Sequence, residues 1–173
     1  MTVCALLLAS PVESPGGSRY VRRVALAALA ALCRPVIAAG PGISGDLAAL
    51  PVDVIEDGSI RCVLELALTM TPHLDAALLL RADQSRVTAM AISRLCSAFR
   101  DSHAAIAEAA YDGTIALPAL FARSVFADLL ALPPESGVKP VFAAHAPNVI
   151  TIPWPQLGSQ IESAEEYALL RES

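Results

Sequence analysis

With 173 residues, of which 55% are hydrophobic and 17% charged, the chain has the length of one domain and a composition that excludes disorder. Its net charge of −5, without a basic block, excludes a typical nucleic-acid-binding surface. Its longest purely apolar run, Val24 to Cys33, is too short for a membrane-spanning helix, which needs about 20 residues. We therefore expect a single cytoplasmic domain over residues 1–173 that binds neither nucleic acid nor membrane.

The first residues form an apolar segment that invites comparison with a secretory signal. They lack the positively charged start of such a signal, and Pro11 follows at once. We therefore favour a buried first strand over Val3–Ala9. The loop Pro11–Ser18 comes next, and an alanine-rich helix over Tyr20–Cys33 follows, with apolar residues on one side.

Short apolar runs then alternate with amphipathic stretches, a pattern typical of βα units around a mostly parallel sheet. The further predicted strands are Pro35–Ala39, Val52–Glu56, Ala76–Leu80, Ala104–Ala110 and Val149–Ile152. The further predicted helices are Ile60–Met70, a helix from the N-cap Thr88 to about Arg100, Ser124–Leu132, Ser136–His145 with a kink near Pro140, and Ser163–Arg171. Tyr111–Pro118 is predicted to be a hairpin or a connecting loop. The pattern predicts a three-layer α/β/α fold with a mostly parallel, Rossmann-like sheet.

The cysteines and histidines do not indicate a metal centre or a catalytic triad. No two cysteines have the spacing of metal ligands, and each lies in an apolar segment, which predicts buried thiols. The three histidines, His73, His103 and His145, are isolated from one another in the sequence and are expected at the surface.

Asp83 lies two or three residues past Ala76–Leu80, whose continuous apolar run is typical of a central strand. Ligands of open α/β sheets bind beyond the carboxyl ends of the strands. A carboxylate there, together with nucleotide phosphates, provides the oxygen ligands that Mg²⁺ prefers. The alternative is a turn aspartate bonded to local backbone amides.

The loop from Ser10 to Arg19 offers a second candidate site. Gly16, Gly17 and Ser18 would permit phosphates to approach the backbone, and Arg19 could pair with a phosphate. The loop contains neither GxGxxG nor GKS/T, so a plain connecting loop stays open as the alternative.

Four stretches of the sequence resemble a known family. Ala77–Thr88 (ALLLRADQSRVT) is similar to a strand with an acidic "ADQP-x-V-T" turn, and Ala110–Phe121 (AYDGTIALPALF) to "Y-x-G-x-x-G-[HN]-P-x-x-F". Ser136–His145 is similar to a "GDxGAR-x-L-L" helix, and Gln160–Tyr167 to "D-I-D-T-P-E-D-Y". Their order resembles that of the molybdenum cofactor nucleotidyltransferases, which are MobA-like NTP transferases, and especially the cytidylyltransferase branch.

This resemblance implies Mg²⁺-dependent transfer of a nucleoside monophosphate from CTP or GTP to the phosphate of molybdopterin. By position, Asp83 and Glu162 would hold the metal, and Asp83 and Arg19 would act in catalysis. The residues that would hold the NTP phosphates are Ser10, Gly16, Gly17 and Ser18.

The sequence also departs from the family pattern. In the first loop, Ser10 replaces a glycine, Pro11 removes an amide donor, and Arg19 replaces a lysine. Near the carboxyl terminus, Gln160 and Glu162 replace two aspartates. These departures predict an eroded active site. The alternative is a non-catalytic module that binds a nucleotide or a pterin, or docks onto a molybdoenzyme, and the high apolar content is compatible with self-association.

Overall fold

The structure is a computed structural model that describes residues 1–9, 17–84, 86–111, 114–134 and 136–154. The candidate residues Ser10, Gly16 and Glu162 and the predicted helix Ser163–Arg171 therefore lie outside the described residues. Within the described ranges, no helix combines the length and the apolar character required to cross a membrane.

Seven strands form one sheet within the described part of the chain. They are β1 (Val3–Leu8), β2 (Val36–Ala39), β3 (Asp53–Ile55), β4 (Ala76–Arg81), β5 (Ile106–Tyr111), β6 (Thr114–Ala122) and β7 (Val149–Pro153). Their spatial order is β3-β2-β1-β4-β6-β5-β7. Only β6 among these runs antiparallel to its neighbours, so the sheet is mostly parallel, as the sequence pattern predicts.

Helices cover both faces of this sheet. They are α1 (Gly17–Ala30), α2 (Ser44–Leu47), α3 (Ile60–Met70), α4 (Ala89–Ser102), α5 (Phe126–Leu130) and α6 (Lys139–Ala144). The predicted three-layer α/β/α architecture is confirmed.

Side chains that alternate along each strand fill two separate cores. Leu7 of β1 packs into the core shared with α1 and α4, whereas its neighbour Leu6 packs into the core shared with α3, α5 and α6. Both leucines are fully buried, as are Leu78 and Leu79 of β4. Full burial of a side chain of this size contributes roughly 1.5–3 kcal/mol, and burial on both faces is why these strands have continuous apolar sequences.

Two predicted helix starts are confirmed at the atomic level. α3 spans Ile60–Met70 as predicted, and the Ser59 hydroxyl oxygen accepts a hydrogen bond from the Cys62 amide at 3.3 Å. The Thr88 hydroxyl oxygen caps α4 by accepting from the Ala91 amide, also at 3.3 Å. Each cap satisfies a main-chain donor that the helix itself leaves unpaired.

Of two predictions around prolines, one needs correction, and the other, which left a hairpin and a connecting loop open, is decided in favour of the hairpin. Pro140 does not kink a helix, because α6 begins at Lys139 and places Pro140 in its first turn, where the missing N–H is tolerated. The segment after Tyr111 forms a hairpin, and its second strand, β6, continues to Ala122. Pro118 is accommodated there because the β5–β6 register shifts beside it, from Glu108 opposite Ala119 to Ala109 opposite Ala116.

The predicted burial of the cysteines is correct for only half of them. Cys4 and Cys33 are buried, and burial raises the pKa of the Cys4 thiol to about 12. Cys62 and Cys96 are only partly buried, because their helices α3 and α4 have one side in solvent.

Candidate active site

The sheet changes its winding direction between β1 and β4. From β1 the chain proceeds outward through β2 and β3, and it then crosses back to place β4 on the other side of β1. Leu8 of β1 is in register with Arg81 of β4, and the Ala82 amide donates to the Leu8 carbonyl at 3.0 Å. The turn after β4 therefore lies beside the end of β1, at the kind of crevice where open α/β sheets bind ligands.

A buried glutamine fixes this turn. The Gln84 side chain is 8% exposed, and its Oε1 accepts from the Arg81 amide at 3.1 Å. Its Nε2 donates to the carbonyl of Leu117 on β6. Buried polar groups require such partners, so Gln84 ties the turn to two strands. Sequence reasoning did not single out Gln84, although its place in the acidic turn motif was an available signal.

Asp83 is paired with a side chain of its own turn, and the alternative of a turn aspartate bonded to backbone amides stays open, because Ser85 lies outside the described residues. Its Oδ1 accepts from the Arg81 Nε at 3.0 Å, and its Oδ2 accepts from the Nη2 of the same guanidinium. The Asp83 side chain is 33% exposed and that of Arg81 47%. An ion pair this exposed contributes roughly 0.2–1 kcal/mol, so it can open at little cost.

Gly40 fixes the start of the loop that follows β1. The Ala9 amide donates to the Ala39 carbonyl at 2.8 Å, which continues the β1–β2 ladder. Gly40 has a φ of +140°, and a Cβ at this position would lie 2.7 Å from the Cβ of Ala9. Only glycine accommodates both this conformation and this close approach. Gly40 and the β1–β2 ladder therefore hold Ala9, the last described residue before the predicted phosphate loop.

A cavity of about 300 Å³ opens at the same edge of the sheet. Three strand leucines, one residue of α3 and several loop residues line it: Leu8, Gly58, Ile60, Leu79, Leu117, Pro134, Ser136, Gly137 and Val138. Its volume lies at the lower end of the range for small-molecule sites, about 300–1,000 Å³. The cavity therefore has room for a small planar group and not for a large ligand.

A second acidic turn borders this cavity. Asp57 accepts a hydrogen bond from the Ser59 amide at 2.8 Å and another from the Cys62 thiol at 3.1 Å. The Ser59 amide, followed by the Cys62 thiol, lowers the pKa of the Asp57 carboxyl below its ordinary value of 3.8. Asp57 therefore stabilises the start of α3. Sequence reasoning missed it because its partners are a main-chain amide and a half-buried thiol.

The structure brings only part of the predicted site together. Asp83 belongs to the turn that lies beside the end of β1, and its role in a metal site stays a prediction. Gly17, Ser18 and Arg19 begin α1, so a helix amino terminus follows the predicted phosphate loop. The roles assigned to these three residues stay predictions. The structure also adds Arg81, which sequence reasoning had placed in the loop without assigning it a role.

The described residues do not contain a preformed metal centre. No group of three histidine, cysteine or acidic side chains in the described ranges could hold an ion. Mg²⁺ usually takes one or two protein carboxylates and completes its coordination with waters and substrate phosphates. Within the described residues, the partly exposed carboxylate of Asp83 is one protein ligand of this type.

Solved structures with similar folds come from several organisms. A manganese complex of Rv0371c from Mycobacterium tuberculosis H37Rv is 21% identical, with a TM-score of 0.75 over 100% of both chains. A nucleotidyl transferase from Methanothermobacter, Mth528, is 14% identical, with a TM-score of 0.68 over 99% of this chain and 96% of that one. The 2-C-methyl-D-erythritol 4-phosphate cytidylyltransferase from Thermus thermophilus is 17% identical, with a TM-score of 0.70 over 99% of this chain and 98% of that one. At these identities the likeness establishes the fold.

Sequence comparison identifies the family. A search of curated protein sequences finds no match to this chain. The model of the MobA-like NTP transferase domain matches residues 12–149, which include β2 to β6, Asp83 and most of the cavity lining. Since this match covers most of the chain, the protein belongs to the MobA-like NTP transferase domain family.

Proposed function

We propose that this protein is a cytoplasmic nucleotidyltransferase that moves CMP or GMP from CTP or GTP to the phosphate of molybdopterin, with Mg²⁺ as its metal ion. The observation that carries the proposal is the exposed carboxylate of Asp83 beside the end of β1. Family membership supports nucleotidyl transfer in general, and the molybdopterin acceptor follows from the sequence resemblance.

Each part of the site has a chemical task in this proposal. From the sequence, the non-proline residues of the loop at 10–16, together with the amino terminus of α1, would provide backbone N–H groups to the phosphates. Asp83 and, from the sequence, Glu162 would hold Mg²⁺, which supplies positive charge to the reacting phosphates when it is bound. Arg19 adds a further cation. Phosphoryl chemistry depends mainly on such positioning and charge stabilisation.

The cavity is the proposed place of the nucleobase. Leu8 and Leu117 offer it an apolar surface, and the main chain at Gly58 and Gly137 offers hydrogen-bonding groups. The Thermus relative is named as a cytidylyltransferase, which supports CTP as the first nucleotide to test. The Mycobacterium relative is named as a manganese complex, which supports Mn²⁺ as a stand-in for Mg²⁺.

A second candidate function is a non-catalytic module that binds a nucleotide or a pterin, or docks onto a molybdoenzyme. The pairing of both Asp83 oxygens with Arg81 favours it, because that pairing neutralises the carboxylate. Ser10 and Pro11 in the predicted phosphate loop favour it as well. The two functions differ in turnover: only the enzyme releases pyrophosphate when NTP and molybdopterin are both present.

Calorimetric titration with CTP and GTP, with and without Mg²⁺ or Mn²⁺, tests the proposal. The wild-type protein should bind one nucleotide in a metal-dependent manner, and Asp83→Asn should weaken binding by roughly 10- to 150-fold, the loss of about 1.5–3 kcal/mol in a charged contact. Asp101→Asn is the matched control, because Asp101 is also an exposed aspartate paired with a nearby arginine, Arg100. Absence of binding at millimolar nucleotide would refute the proposal, and binding without pyrophosphate release would support the module.

A further inference from the structure

We infer that Arg81 is a phosphate-binding residue that occupies the Asp83 carboxylate in the absence of nucleotide and exchanges it for the triphosphate when the metal ion binds. This inference rests on the proposed function of the site. It concerns a residue for which the sequence provided no role, and it explains why an active-site carboxylate is paired with a cation.

The position of Arg81 supports the exchange. It is the last residue of β4 and lies in register with Leu8, the last residue of β1. The Arg81 guanidinium therefore emerges at the crevice between the two strands, directly before the predicted phosphate loop continues from β1. Its side chain is 47% exposed, so a phosphate can reach it from solvent.

The main chain around Arg81 is fixed while its side chain is not. The Arg81 amide donates to the Gln84 side chain at 3.1 Å, and the Arg81 carbonyl accepts from the Gln84 amide at 3.3 Å. Gln84 is itself buried and bonded to Leu117. The guanidinium, in contrast, pairs with the side chain of Asp83. A change of partner thus requires rotation of one exposed side chain and leaves the turn in place.

The chemistry of the two partners is equivalent for an arginine. A guanidinium presents two parallel N–H donors that fit a carboxylate and a phosphate equally well. A triphosphate brings several negative charges, and the sequence contains a single lysine, Lys139, which lies at the start of α6 outside the predicted phosphate loop. Arginines must therefore supply the side-chain cations that contact the triphosphate. Arg81 is the arginine that ends β4, two residues before Asp83.

The exchange makes Arg81 and the metal ion competitors for Asp83. Without nucleotide, Arg81 should keep the metal away from the carboxylate. With nucleotide, the triphosphate draws Arg81 away, and the carboxylate becomes available to the metal. Removal of the Arg81 charge should consequently strengthen the binding of the metal alone and weaken the binding of the triphosphate.

These opposite effects are measured with Mn²⁺ and CTP. Mn²⁺ binding is followed by electron paramagnetic resonance, and CTP binding is followed by calorimetry at saturating Mn²⁺. For Arg81→Gln we expect about tenfold tighter Mn²⁺ binding and at least about tenfold weaker CTP binding, with cytidine binding unchanged. Arg81→Lys, which keeps the charge and loses the two-pronged geometry, should recover part of the CTP affinity.

Arg100→Gln is the control, because Arg100 also pairs with an exposed aspartate, Asp101, at 3.5 Å. It should change neither affinity. If Arg81→Gln weakens both affinities together, or leaves CTP binding at the wild-type level, the inference is wrong, because a purely structural or purely blocking Arg81 gives those results. If the wild-type protein binds no nucleotide, the proposed function fails and this inference fails with it.

Discussion

Two aspartates follow strands at the carboxyl edge of the sheet, and they differ in the groups to which they are hydrogen-bonded. Asp57, after β3, is held by the Ser59 amide and the Cys62 thiol. Asp83, after β4, is held by the guanidinium of Arg81. A carboxylate bonded to a main-chain amide is part of the local structure, whereas one paired with an exposed side chain can change partners. The comparison therefore indicates a structural role for Asp57, and it is compatible with the ligand-binding role that we propose for Asp83.

The largest expected effect tests this division directly. Asp83→Ala should remove most metal-dependent CTP binding, a loss of at least about tenfold, and should barely change the melting temperature, because its exposed ion pair contributes little to stability. Asp57→Ala should show the reverse pattern, with a lower melting temperature and retained binding. Thermal denaturation and calorimetry on both variants provide the measurement. A larger decrease in melting temperature for Asp83→Ala than for Asp57→Ala would contradict this division of roles.

Removal of the helix cap at Ser59 should have a smaller effect, and only on stability. Ser59→Ala removes the hydroxyl oxygen that accepts from the Cys62 amide, and loss of such a cap costs about 1 kcal/mol, or about 2–4 °C in a chain of this size. Thr88→Ala is the matched comparison, since Thr88 caps α4 with the same bond length. Chemical denaturation should give similar losses for the two variants. A negligible loss at Ser59 would mean that Asp57 alone holds the start of α3.

The pH dependence of the free energy of unfolding at acid pH tests the structural role of Asp57. Because its folded-state pKa lies below the ordinary value of 3.8, the ionised form favours the folded state. Its contribution is fully present above pH 3.8 and is lost as the pH falls through the lowered pKa. Asp57→Asn should therefore flatten that part of the curve, measured as urea midpoints between about pH 5 and pH 2. An unchanged acid limb in Asp57→Asn would show that other carboxylates control it.

The smallest effect is expected from a substitution near the cavity-lining segment between α5 and α6. Asp128 of α5 and His145, the residue after α6, pair at 2.7 Å, so the two helices that flank the cavity-lining segment are linked. The pair is partly exposed, and His145→Gln should cost less than about 1 kcal/mol and change CTP affinity only slightly. His73→Gln, at an exposed turn residue, is the control for both measurements. A large loss of CTP affinity in His145→Gln would indicate that the segment between α5 and α6, and not the Asp83 turn, determines nucleotide binding.

Most of the fold was predictable because the signals are local. Buried strands such as Ala76–Arg81 have continuous apolar sequences, and α3 has both its apolar period and the Ser59 cap in the sequence. β6 was not predicted in full, since a proline inside a run of apolar residues argues against a strand. The register shift that accommodates Pro118 depends on β5 and is not visible in the segment itself.

The sequence indicated the position of the candidate site only where one strand end determined it. Asp83 was singled out because it lies just past a central strand, which the structure confirms, whereas its role stays a prediction. Its pairing with Arg81 could not be predicted, because the strand ends at Arg81 and the geometry of the turn at Ala82 and Asp83 decides whether the two side chains meet. The burial of Gln84 could not be predicted, because its partner Leu117 is 33 residues away on β6, where the strand was not fully assigned.

The most direct test is a crystal structure with CTP and Mn²⁺, in which anomalous scattering locates the metal. We expect Mn²⁺ in contact with the Asp83 carboxylate and with phosphate oxygens, at the end of β1, and we expect the Arg81 guanidinium on the triphosphate. Nucleotide and metal bound at a different edge of the sheet, with Asp83 still paired to Arg81, would contradict the account.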